Sequence, residues 1–524
     1  MHSKYLEATT LSIPLVALAI FIWTVVTVQI HSYGRYDILG LASKLPIPYW
    51  VGLLLAVAFT LYVAGKVVDG KLYHLLWLLG SFLIILYLFG VPTLVQDYSG
   101  PLTVDSWAFI SAPISIMSTG GLQIGSAPYT DFPSTFILGA IFMSVTDLPF
   151  LTVLKYHALI YSLVVLLLNY IVLRPLLRSP NLEYAIIFLT VGQVWVLQKW
   201  FSPAAMGYIL YLTIFALLLR KQGKSRFLAM LPLVGLAITH PLSFFTLLVS
   251  LFLFMIFSCL VKKEVKFSMT FFLFSLVVWF TWLMFTASQT FNVNIGIFVG
   301  NLIRNILYGN PQGILTERVS TSIVTEAHSI SSFLKIAYTL IHFSIGALGL
   351  VLAVLKRARH LSFSLIWLLP AVILFVMTSF ALGQFAVYER VILYGSLPIA
   401  LLAVYGFQGR LKPLCIMILI VSSMLAVHAT YVNEYPEQVS QLEVRGTEFM
   451  ILHGATYRSD TYPLPYLSLS NLYRENVEKP MEVFVYNSRI RNALFYWTGG
   501  DKYASSFDKM NFVYTNGDFS LSFS

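Results

Sequence analysis

Charged side chains are scarce in this chain, and their scarcity excludes an ordinary soluble protein. Only 11% of the 524 residues are charged and 58% are hydrophobic, whereas soluble domains carry about 25% charged residues. Cysteine is also rare. Cys259 and Cys415 both fall inside apolar runs, which supports neither a disulfide framework nor a cysteine metal site. Apolar runs of the length that crosses a bilayer core of about 30 Å recur along the chain instead.

The sequence therefore predicts a polytopic α-helical membrane protein with about 13 transmembrane helices. The first apolar run, 11–30, is too long and unbroken for a signal-peptide core, so we expect a retained helix. The predicted helices cover residues 11–30, 48–67, 73–95, 133–150, 152–173, 183–200, 206–220, 228–240, 242–261, 267–288, 332–355, 361–380, 390–407 and 413–432.

Basic loops predict the orientation of these helices, because Lys and Arg are retained on the cytoplasmic side. The formal net charge is +10, but much of it sits in short loops between apolar runs, so it does not indicate nucleic-acid binding. On this scheme residues 292–331 and the tail after residue 432 face outward. With the loop before residue 133 outside and the basic loop at 174–178 in the cytoplasm, the chain must cross the membrane an odd number of times between them. Two apolar runs lie there, between residues 133 and 173. Either 133–150 is a re-entrant or surface helix, or one predicted span is wrong.

The tail is more polar than the rest of the chain, which predicts a division into a membrane domain, 1–432, and a small soluble extracytoplasmic α/β domain, 433–524. Residues 437–452 have a helical pattern, and strand-like runs follow at 481–486 and 511–514. Asn516-Gly517 lies between the strand-like runs 512–514 and 519–523 and predicts a hairpin, because both residues tolerate positive φ.

A loop without basic side chains lies between two of the predicted helices. Residues 96–133 contain no Lys, Arg or His but three acids: Asp97, Asp105 and Asp131. A carboxylate near the interface can act as a general base or hold a divalent cation. The alternative is that all three are solvated acids, with Asp97 or Asp131 capping the next helix. Asp105 differs because it heads the apolar stretch 107–117, typical of an interfacial helix anchored by Trp.

A series of short motifs begins at Asp105 and continues along the chain. They are Asp105-Ser-Trp-Ala-Phe-Ile, Ile114-Ser-Ile-Met-Ser-Thr-Gly120, Tyr129-Thr-Asp-Phe-Pro133, Phe201-Ser-Pro203, Thr239-His240-Pro241 and Tyr388-Glu389-Arg390. Each is weak alone, but their order resembles the GT-C class of integral membrane glycosyltransferases, in particular archaeal and bacterial members. The resemblance covers most of the chain and implies a GT-C-like membrane domain with a polyprenyl-phosphate sugar as donor.

In that class the first-loop aspartate is the catalytic base or a metal ligand, which implies Asp105 as the base. The cofactor is unknown; a divalent cation is the candidate, with Asp97, Asp105 and Asp131 as its possible ligands. The chain departs from the class in three respects. It lacks the Trp-Trp-Asp-Tyr-Gly signature of oligosaccharyltransferases, and Ser106 replaces the second acid of the protein mannosyltransferases. Ala108-Phe109 stands where many relatives have a histidine.

A phosphate-linked donor needs cations on the outer side, and arginine suits this task through its planar, bidentate donors. The candidates for substrate binding, besides Asp97 and Asp131, are His240, Arg304, Arg318, Glu389 and Arg390. Structural alternatives exist for several of them. Arg390 could be a snorkelling anchor, Arg304 could lie on an amphipathic surface helix, and His240 with its proline could mark a turn between short helices.

The sequence thus predicts a membrane glycosyltransferase that passes a sugar from a polyprenyl-phosphate carrier to a glycan, lipid or protein acceptor at the extracytoplasmic face. Its partners would be the donor, the acceptor and membrane lipid, with no nucleic acid. Two alternatives remain open at this point. One is a flippase or transporter for lipid-linked sugars, and the other is a catalytically inactive membrane scaffold whose tail binds a partner.

Overall fold

A computed structural model of the chain describes a helical membrane domain and four short strands. The described residues are 2–28, 40–66, 71–95, 104–122, 129–197, 201–220, 223–258, 269–288, 300, 303, 326–358, 360–381, 388–431, 455–458, 481–487, 511–515 and 519–523.

Apolar helices form nearly all of the described part of residues 1–431, because lipid offers no hydrogen-bond partner to an open backbone. They are α1 (His2–Thr27), α2 (Leu41–Lys44), α3 (Ile47–Gly65), α4 (Lys71–Ile85), α5 (Val91–Leu94), α6 (Val104–Thr119), α7 (Ser134–Thr146), α8 (Phe150–Leu173), α9 (Asn181–Gly192), α10 (Pro203–Leu218), α11 (Gly223–Leu228), α12 (Met230–Ala237), α13 (Pro241–Ile256), α14 (Met269–Phe285), α15 (Glu326–Leu355), α16 (Leu361–Ala381), α17 (Tyr388–Ala403) and α18 (Lys412–Tyr431).

Within the described ranges, five helices are long and apolar enough to cross a membrane, and seven further apolar helices are shorter. A multi-helical membrane fold is therefore supported, while the predicted number of about 13 spans is not confirmed. The five long helices cover residues 47–65, 72–94, 152–173, 333–355 and 409–431.

A widened turn joins α4 to α5 and ties two other helices to them. Leu86–Gly90 forms one π-helical turn, and Pro92 follows it without a backbone N–H to donate. The carbonyl groups of Tyr87 and Leu88 are available as a result. Tyr49 of α3 donates its hydroxyl to the Tyr87 carbonyl at 3.0 Å. Tyr431 of α18 donates to the Leu88 carbonyl at 2.7 Å.

Two glycines let α15 and α17 pack closely. A Cβ atom on Gly346 would lie 2.3 Å from Ile399 Cγ2, and one on Gly349 would lie 2.1 Å from the backbone oxygen of Leu402. Small residues at such positions are the usual means by which membrane helices approach each other. Both contacts advance along α15 and α17 in the same direction, so the two helices run parallel.

The length of helix α7 is relevant to whether both apolar runs between residues 133 and 173 cross the membrane. It has 13 residues and begins after Pro133, so at about 1.5 Å per residue it is about 20 Å long. Its end is marked by Asp147, which has left-handed backbone angles with φ 53°. A helix of that length is too short for the bilayer core, which favours the surface or re-entrant alternative. Helix α8, with 24 residues, is long and apolar enough to cross the membrane.

Most predicted helices are found within a few residues of their expected bounds, including α6 at the predicted interfacial stretch 107–117. One prediction was wrong in extent. The helix expected at 183–200 ends at Gly192 and continues as turns, whereas the one expected at 228–240 is found as α12, Met230–Ala237. Gln193 uses its side chain in a buried hydrogen-bond network, described below, at the point where α9 ends.

Four strands are described in the tail: β1 (Ala455–Arg458), β2 (Met481–Asn487), β3 (Asn511–Thr515) and β4 (Phe519–Phe523). Their order in the sheet is β1-β2-β4-β3, with β1 and β2 parallel and the other pairs antiparallel. The antiparallel pairing of β3 and β4 confirms the strands of the predicted hairpin. Its turn and the helix predicted at 437–452 lie outside the described residues, so the α/β domain remains a prediction.

Candidate functional site

Four of the eight sequence-predicted site residues have described side chains: Asp131, His240, Glu389 and Arg390. Asp105 lies in the first turn of α6, but its side chain is outside the described set. The remaining three, Asp97, Arg304 and Arg318, also lie outside the described residues. The candidate site is therefore built here around His240 and Arg390.

His240 occupies the turn between α12 and α13. Its backbone is extended, Pro241 follows at the first helical position, and its Nδ1 accepts a hydrogen bond from the Ser243 backbone N–H at 3.2 Å. The side chain thus takes the role that Ser, Thr, Asp or Asn usually plays at a helix N-terminus. The structural interpretation of His240 as a turn residue is therefore correct as far as it goes.

His240 is also a neutral imidazole, and its Nδ1 already accepts a hydrogen bond. It is buried, and burial, together with the nearby positive charge of Arg390, holds the pKa of His240 well below its usual range. Because Nδ1 accepts the Ser243 N–H, the proton of the neutral ring resides on Nε2. His240 can therefore donate one hydrogen bond from Nε2 to a polar ligand.

A hydrogen-bonded chain connects His240 to α17. Tyr394 donates its hydroxyl to Ser243 Oγ at 2.6 Å, and Ser243 Oγ lies 2.9 Å from His240 Nδ1. Gly207 of α10 makes room for this chain, since a Cβ atom there would lie 2.6 Å from Ser243 Oγ. Tyr394 follows Arg390 by one helical turn, so the same face of α17 carries the hydroxyl and the guanidinium.

The end of the loop without basic side chains, at residues 129–133, contacts the turn that contains His240. Tyr129 has a positive φ of 66°, and its ring faces the His240 imidazole with centroids 6.0 Å apart and 20° between the planes. The Ser134 N–H donates to the Ile238 carbonyl at 3.1 Å. The backbone carbonyl of Asp131 accepts from Trp282 Nε1 at 3.0 Å. Asp131 is thereby held close to His240 although 108 residues of sequence separate them.

Asp131 does not occupy the N-cap position of α7. The residue at the capping position of α7 is Pro133, which offers no side-chain hydrogen bond. Asp131 is instead buried, with a relative exposure of 5%. A carboxylate in such surroundings is better explained by a local partner or a bound ligand than by solvation.

Helix α6 reaches this cluster through Phe109. Its ring meets Tyr129 edge-on, with centroids 5.9 Å apart, and lies against Phe136 of α7. Asp105 precedes Phe109 by one helical turn, so both positions share one face of α6. The backbone therefore brings the Asp105 position and the Tyr129–Asp131 segment to the same side of the bundle as His240.

Arg390 is the cation of the candidate site. It lies half-buried in the first turn of α17, next to the half-buried Glu389. The Arg390 Nε is shielded from solvent and has no hydrogen-bond acceptor among the described residues. Buried polar groups are nearly always paired, and an unpaired guanidinium N–H suits an anionic ligand such as phosphate.

A second buried network, which the sequence analysis missed, lies next to the first. The Gln193 amide donates to Tyr208 Oη at 2.9 Å and to Ser396 Oγ at 2.6 Å, and Asn169 Nδ2 donates to Gln193 Oε1 at 3.0 Å. The signal in the sequence was the presence of Asn and Gln inside apolar runs, since polar groups within a membrane are retained for packing or function.

The described part of the chain contains no group of three or more His, Cys, Asp or Glu side chains placed to hold a metal ion. Two of the three aspartates considered as metal ligands, Asp97 and Asp105, have side chains outside that part. The divalent cation therefore stays a prediction.

Comparison with known proteins returns no matching family model and no matching curated protein. Among solved structures, the chain is similar to an oligosaccharyltransferase from Archaeoglobus fulgidus, solved with a tethered acceptor peptide containing the NVT sequon. The TM-score is 0.47 at 12% sequence identity, over 87% of this chain and 74% of the other. At this identity the similarity extends to no individual side chain.

Proposed function

We propose that this protein is a membrane glycosyltransferase that takes a sugar from a polyprenyl-phosphate-linked donor and transfers it to an acceptor at the extracytoplasmic face. The observation that carries the proposal is the buried Nε of Arg390, which lies beside His240 and has no hydrogen-bond acceptor among the residues that the structure describes. These two residues belong to motifs that the sequence analysis selected independently. Their convergence with the end of the first-loop segment supports a single site.

In the proposed reaction the acceptor forms one bond and the donor loses one. An acceptor oxygen bonds to the anomeric carbon while the bond between that carbon and the phosphate oxygen breaks, and the phosphate leaves with the electron pair. Asp105 accepts the proton of the acceptor hydroxyl. Arg390 binds the leaving phosphate, whose negative charge grows in the transition state. Direct displacement of this kind inverts the anomeric centre, as the resemblance to the GT-C class implies.

The other candidates have binding roles in this proposal. His240 donates from Nε2 to a sugar hydroxyl or a phosphate oxygen, and Glu389 contacts the donor beside Arg390. Asp131 serves as a sugar contact or a cation ligand. The remaining predicted contacts are Asp97, for a cation or the acceptor, and Arg304 and Arg318, for phosphate.

The decisive experiment incubates the purified full-length protein with radiolabelled polyprenyl-phosphate sugars and a membrane extract as acceptor source. We expect consumption of at least one donor by the wild type and a loss of about 100-fold or more in Asp105→Asn, within the range for removal of a general base. Asp147→Asn is the matched control, because Asp147 caps the end of α7 through its backbone.

Full activity in Asp105→Asn would refute the role given to that carboxylate. A wild-type protein that consumes no donor but moves a lipid-linked sugar across liposomes would instead establish the flippase alternative. If neither transfer nor transport occurs while the tail captures a partner, the scaffold alternative is correct.

A further inference from the structure

A buried carboxylate lies at the end of the bundle opposite to the candidate site. Glu183 is in the first turn of α9, and its side chain is only 5% exposed. Asn181, which begins the same helix, accepts a hydrogen bond from Gln408 at 3.2 Å. Gln408 follows α17, whereas Arg390 lies in the first turn of α17. The 16 residues of α17, about 24 Å at about 1.5 Å per residue, therefore separate the two places.

The ends of three helices meet around this carboxylate. Helix α3 ends at Gly65 and α18 begins at Lys412. A Cβ atom on Gly65 would lie 3.1 Å from Tyr184 Oη and 3.6 Å from Lys412 Nζ, which brings both ends to the residue that follows Glu183. Basic residues at the ends of transmembrane helices predict a cytoplasmic boundary. Glu183 therefore lies where a bilayer changes from acyl chains to headgroups.

Helix α4 brings an imidazole to the carboxylate. It begins at Lys71, and His74 lies one turn into it, with Nδ1 3.8 Å from Glu183 Oε1. The His74 side chain is 48% exposed. Leu72 and Leu75, on either side of it, are 44% and 63% exposed. Large exposed apolar side chains on a membrane helix face lipid, so the carboxylate can be approached from the membrane at His74.

The described residues leave the Glu183 carboxylate without a hydrogen bond. The 3.8 Å to His74 exceeds hydrogen-bond distance. Oε2 is shielded from solvent and has no partner among the residues that the structure describes. A glutamate in the first turn commonly accepts from the N-cap N–H, but the N-cap of α9 is Pro180, which has no N–H. Because an uncompensated buried charge is unfavourable, the site indicates a cationic ligand.

The basic side chains described at this end are directed elsewhere. Each of three lies over a tyrosine ring: Lys66 over Tyr62 at 4.9 Å, Arg174 over Tyr170 at 5.9 Å, and Lys412 over Tyr184 at 5.2 Å. None of these three forms an ion pair with Glu183, whose described ionic neighbour is His74. The cation that suits Glu183 is therefore not one of these side chains.

The chemistry of the site favours an ammonium over a metal ion. A hard divalent cation takes six or more oxygen ligands, and the described part of the chain holds no group of three or more His, Cys, Asp or Glu side chains placed for a metal. Glu183 and His74 offer two acceptors to a ligand between them. A primary ammonium has three N–H donors and can bond both.

We propose that Glu183 and His74 bind the primary ammonium group of a membrane lipid headgroup, as found in an aminoethyl phosphate. One N–H donates to the Glu183 carboxylate and another to the acceptor nitrogen of a neutral His74 ring. The basic residues at the same boundary attract the phosphate of that headgroup. This site is distinct from the proposed transferase site, and the inference does not depend on the proposed function.

Selectivity should follow from the N–H groups. A phosphocholine headgroup has the same positive charge on a trimethylated nitrogen, which has no N–H to donate. A phosphoglycerol headgroup has hydroxyl donors but no positive charge to compensate a buried carboxylate. The site should therefore prefer a phosphoethanolamine headgroup to both.

The test measures dissociation constants of the purified full-length protein in detergent by native mass spectrometry. The lipid probes are the dioleoyl forms of phosphatidylethanolamine, phosphatidylcholine and phosphatidylglycerol, which differ only in headgroup. O-phosphoethanolamine, which has no acyl chains, distinguishes a lipid from a free amine. Glu183→Gln removes the charge and keeps the shape, and His74→Phe removes the second acceptor. Asp147→Asn is the matched control, because Asp147 is an exposed acid at the end of α7.

We expect the wild type to bind phosphatidylethanolamine about tenfold more tightly than either other lipid, the ratio that one hydrogen bond to a charged group can supply. Glu183→Gln should abolish this preference and His74→Phe should reduce it, while Asp147→Asn should keep it. If Glu183→Gln does not fold, His74→Phe decides, because its side chain lies at a half-exposed position.

Four results would overturn the assignment. They are equal binding of the ethanolamine and choline lipids by the wild type, a full preference retained in either variant of the site, tighter binding of phosphatidylglycerol, and binding of O-phosphoethanolamine as tight as that of the lipid. The third would show that the basic residues select the lipid, and the fourth would assign the site to free amines. Sugar transfer is measured separately, so failure here leaves the proposed function unchanged.

Discussion

Tyr394 donates a hydrogen bond to Ser243 at 2.6 Å and so joins α17 to the N-terminal turn of α13. The pair matters because Ser243 also contacts His240, and Tyr394 lies one turn from Arg390. Two residues of the candidate site are therefore held at a set separation by two residues that the sequence analysis did not select. Such supporting contacts commonly determine whether binding groups keep their geometry.

Removing the Ser243 hydroxyl and removing the Tyr394 hydroxyl should lower the stability of the protein by different amounts. Ser243→Ala leaves the buried Tyr394 hydroxyl without its acceptor and should cost about 1–3 kcal/mol. Tyr394→Phe removes the donor, while Ser243 Oγ keeps its contact with His240, so the cost should be about 1 kcal/mol. Thermal unfolding of both variants in detergent measures the difference. Equal destabilisation would show that the hydroxyl pair is not the main contact.

The capping role of His240 can be separated from its chemistry. His240→Asn should keep most of the stability of α13, because Asn is a good N-cap, whereas His240→Ala should cost about 1 kcal/mol. If His240 contacts the donor, both variants should lose transfer activity. Activity retained in His240→Asn but lost in His240→Ala would mean that the residue acts only as a cap.

The pH dependence of stability should also reveal His240. The folded-state pKa of His240 lies below its unfolded value of about 6.5, so below about pH 6.5 the unfolded chain binds a proton that the folded chain does not. Stability should then fall as the pH is lowered, by at most about 1.4 kcal/mol per pH unit from this group. His240→Asn should show a correspondingly smaller loss between pH 6.5 and 5. Superimposable profiles would contradict the prediction.

The close approach of α15 to α17 should make Gly349 intolerant of even one methyl group. An added Cβ would lie 2.1 Å from the Leu402 backbone oxygen, and backbone cannot move aside as a side chain can. Gly349→Ala should destabilise the protein by at least about 1–3 kcal/mol. Gly235→Ala is the control, since its Cβ would have contacts no shorter than 3.6 Å. Unfolding midpoints of the two variants provide the comparison.

The π-helical turn offers a rescue experiment. Tyr431→Phe should leave the Leu88 carbonyl without its tyrosine donor, at a cost of about 1–3 kcal/mol. Pro92→Ala restores a backbone N–H four residues after Leu88, so the double variant should recover part of that loss. Additive destabilisation in the double variant would show that the proline is not the reason for the free carbonyl.

Several features could be predicted from sequence because they depend on local chemistry. Apolar runs predicted the helices of the membrane domain, since only a helix satisfies its own backbone in lipid. The polarity of the tail and Asn516-Gly517 predicted strands that pair as β3 and β4. The order of short motifs selected His240 and Arg390 for their chemistry.

The sequence could not show that the two residues would meet, because 149 residues of intervening chain must first fold into the bundle. It also could not identify Ser243, Tyr394 or Gln193, whose partners lie on other helices. The early end of α9 was also missed; Gln193, the residue that follows it, bonds to side chains of α8, α10 and α17.

The sequence by itself determined that this chain builds apolar helices, and it selected the residues that we propose bind a phosphate-linked sugar. Only the tertiary structure decided that His240 caps a helix beside Arg390 and that an apolar groove lies between α15, α16 and α17. The physical reason is that helix formation is satisfied within each segment. Unpaired donors, close approaches and grooves exist only where separate segments are brought into contact.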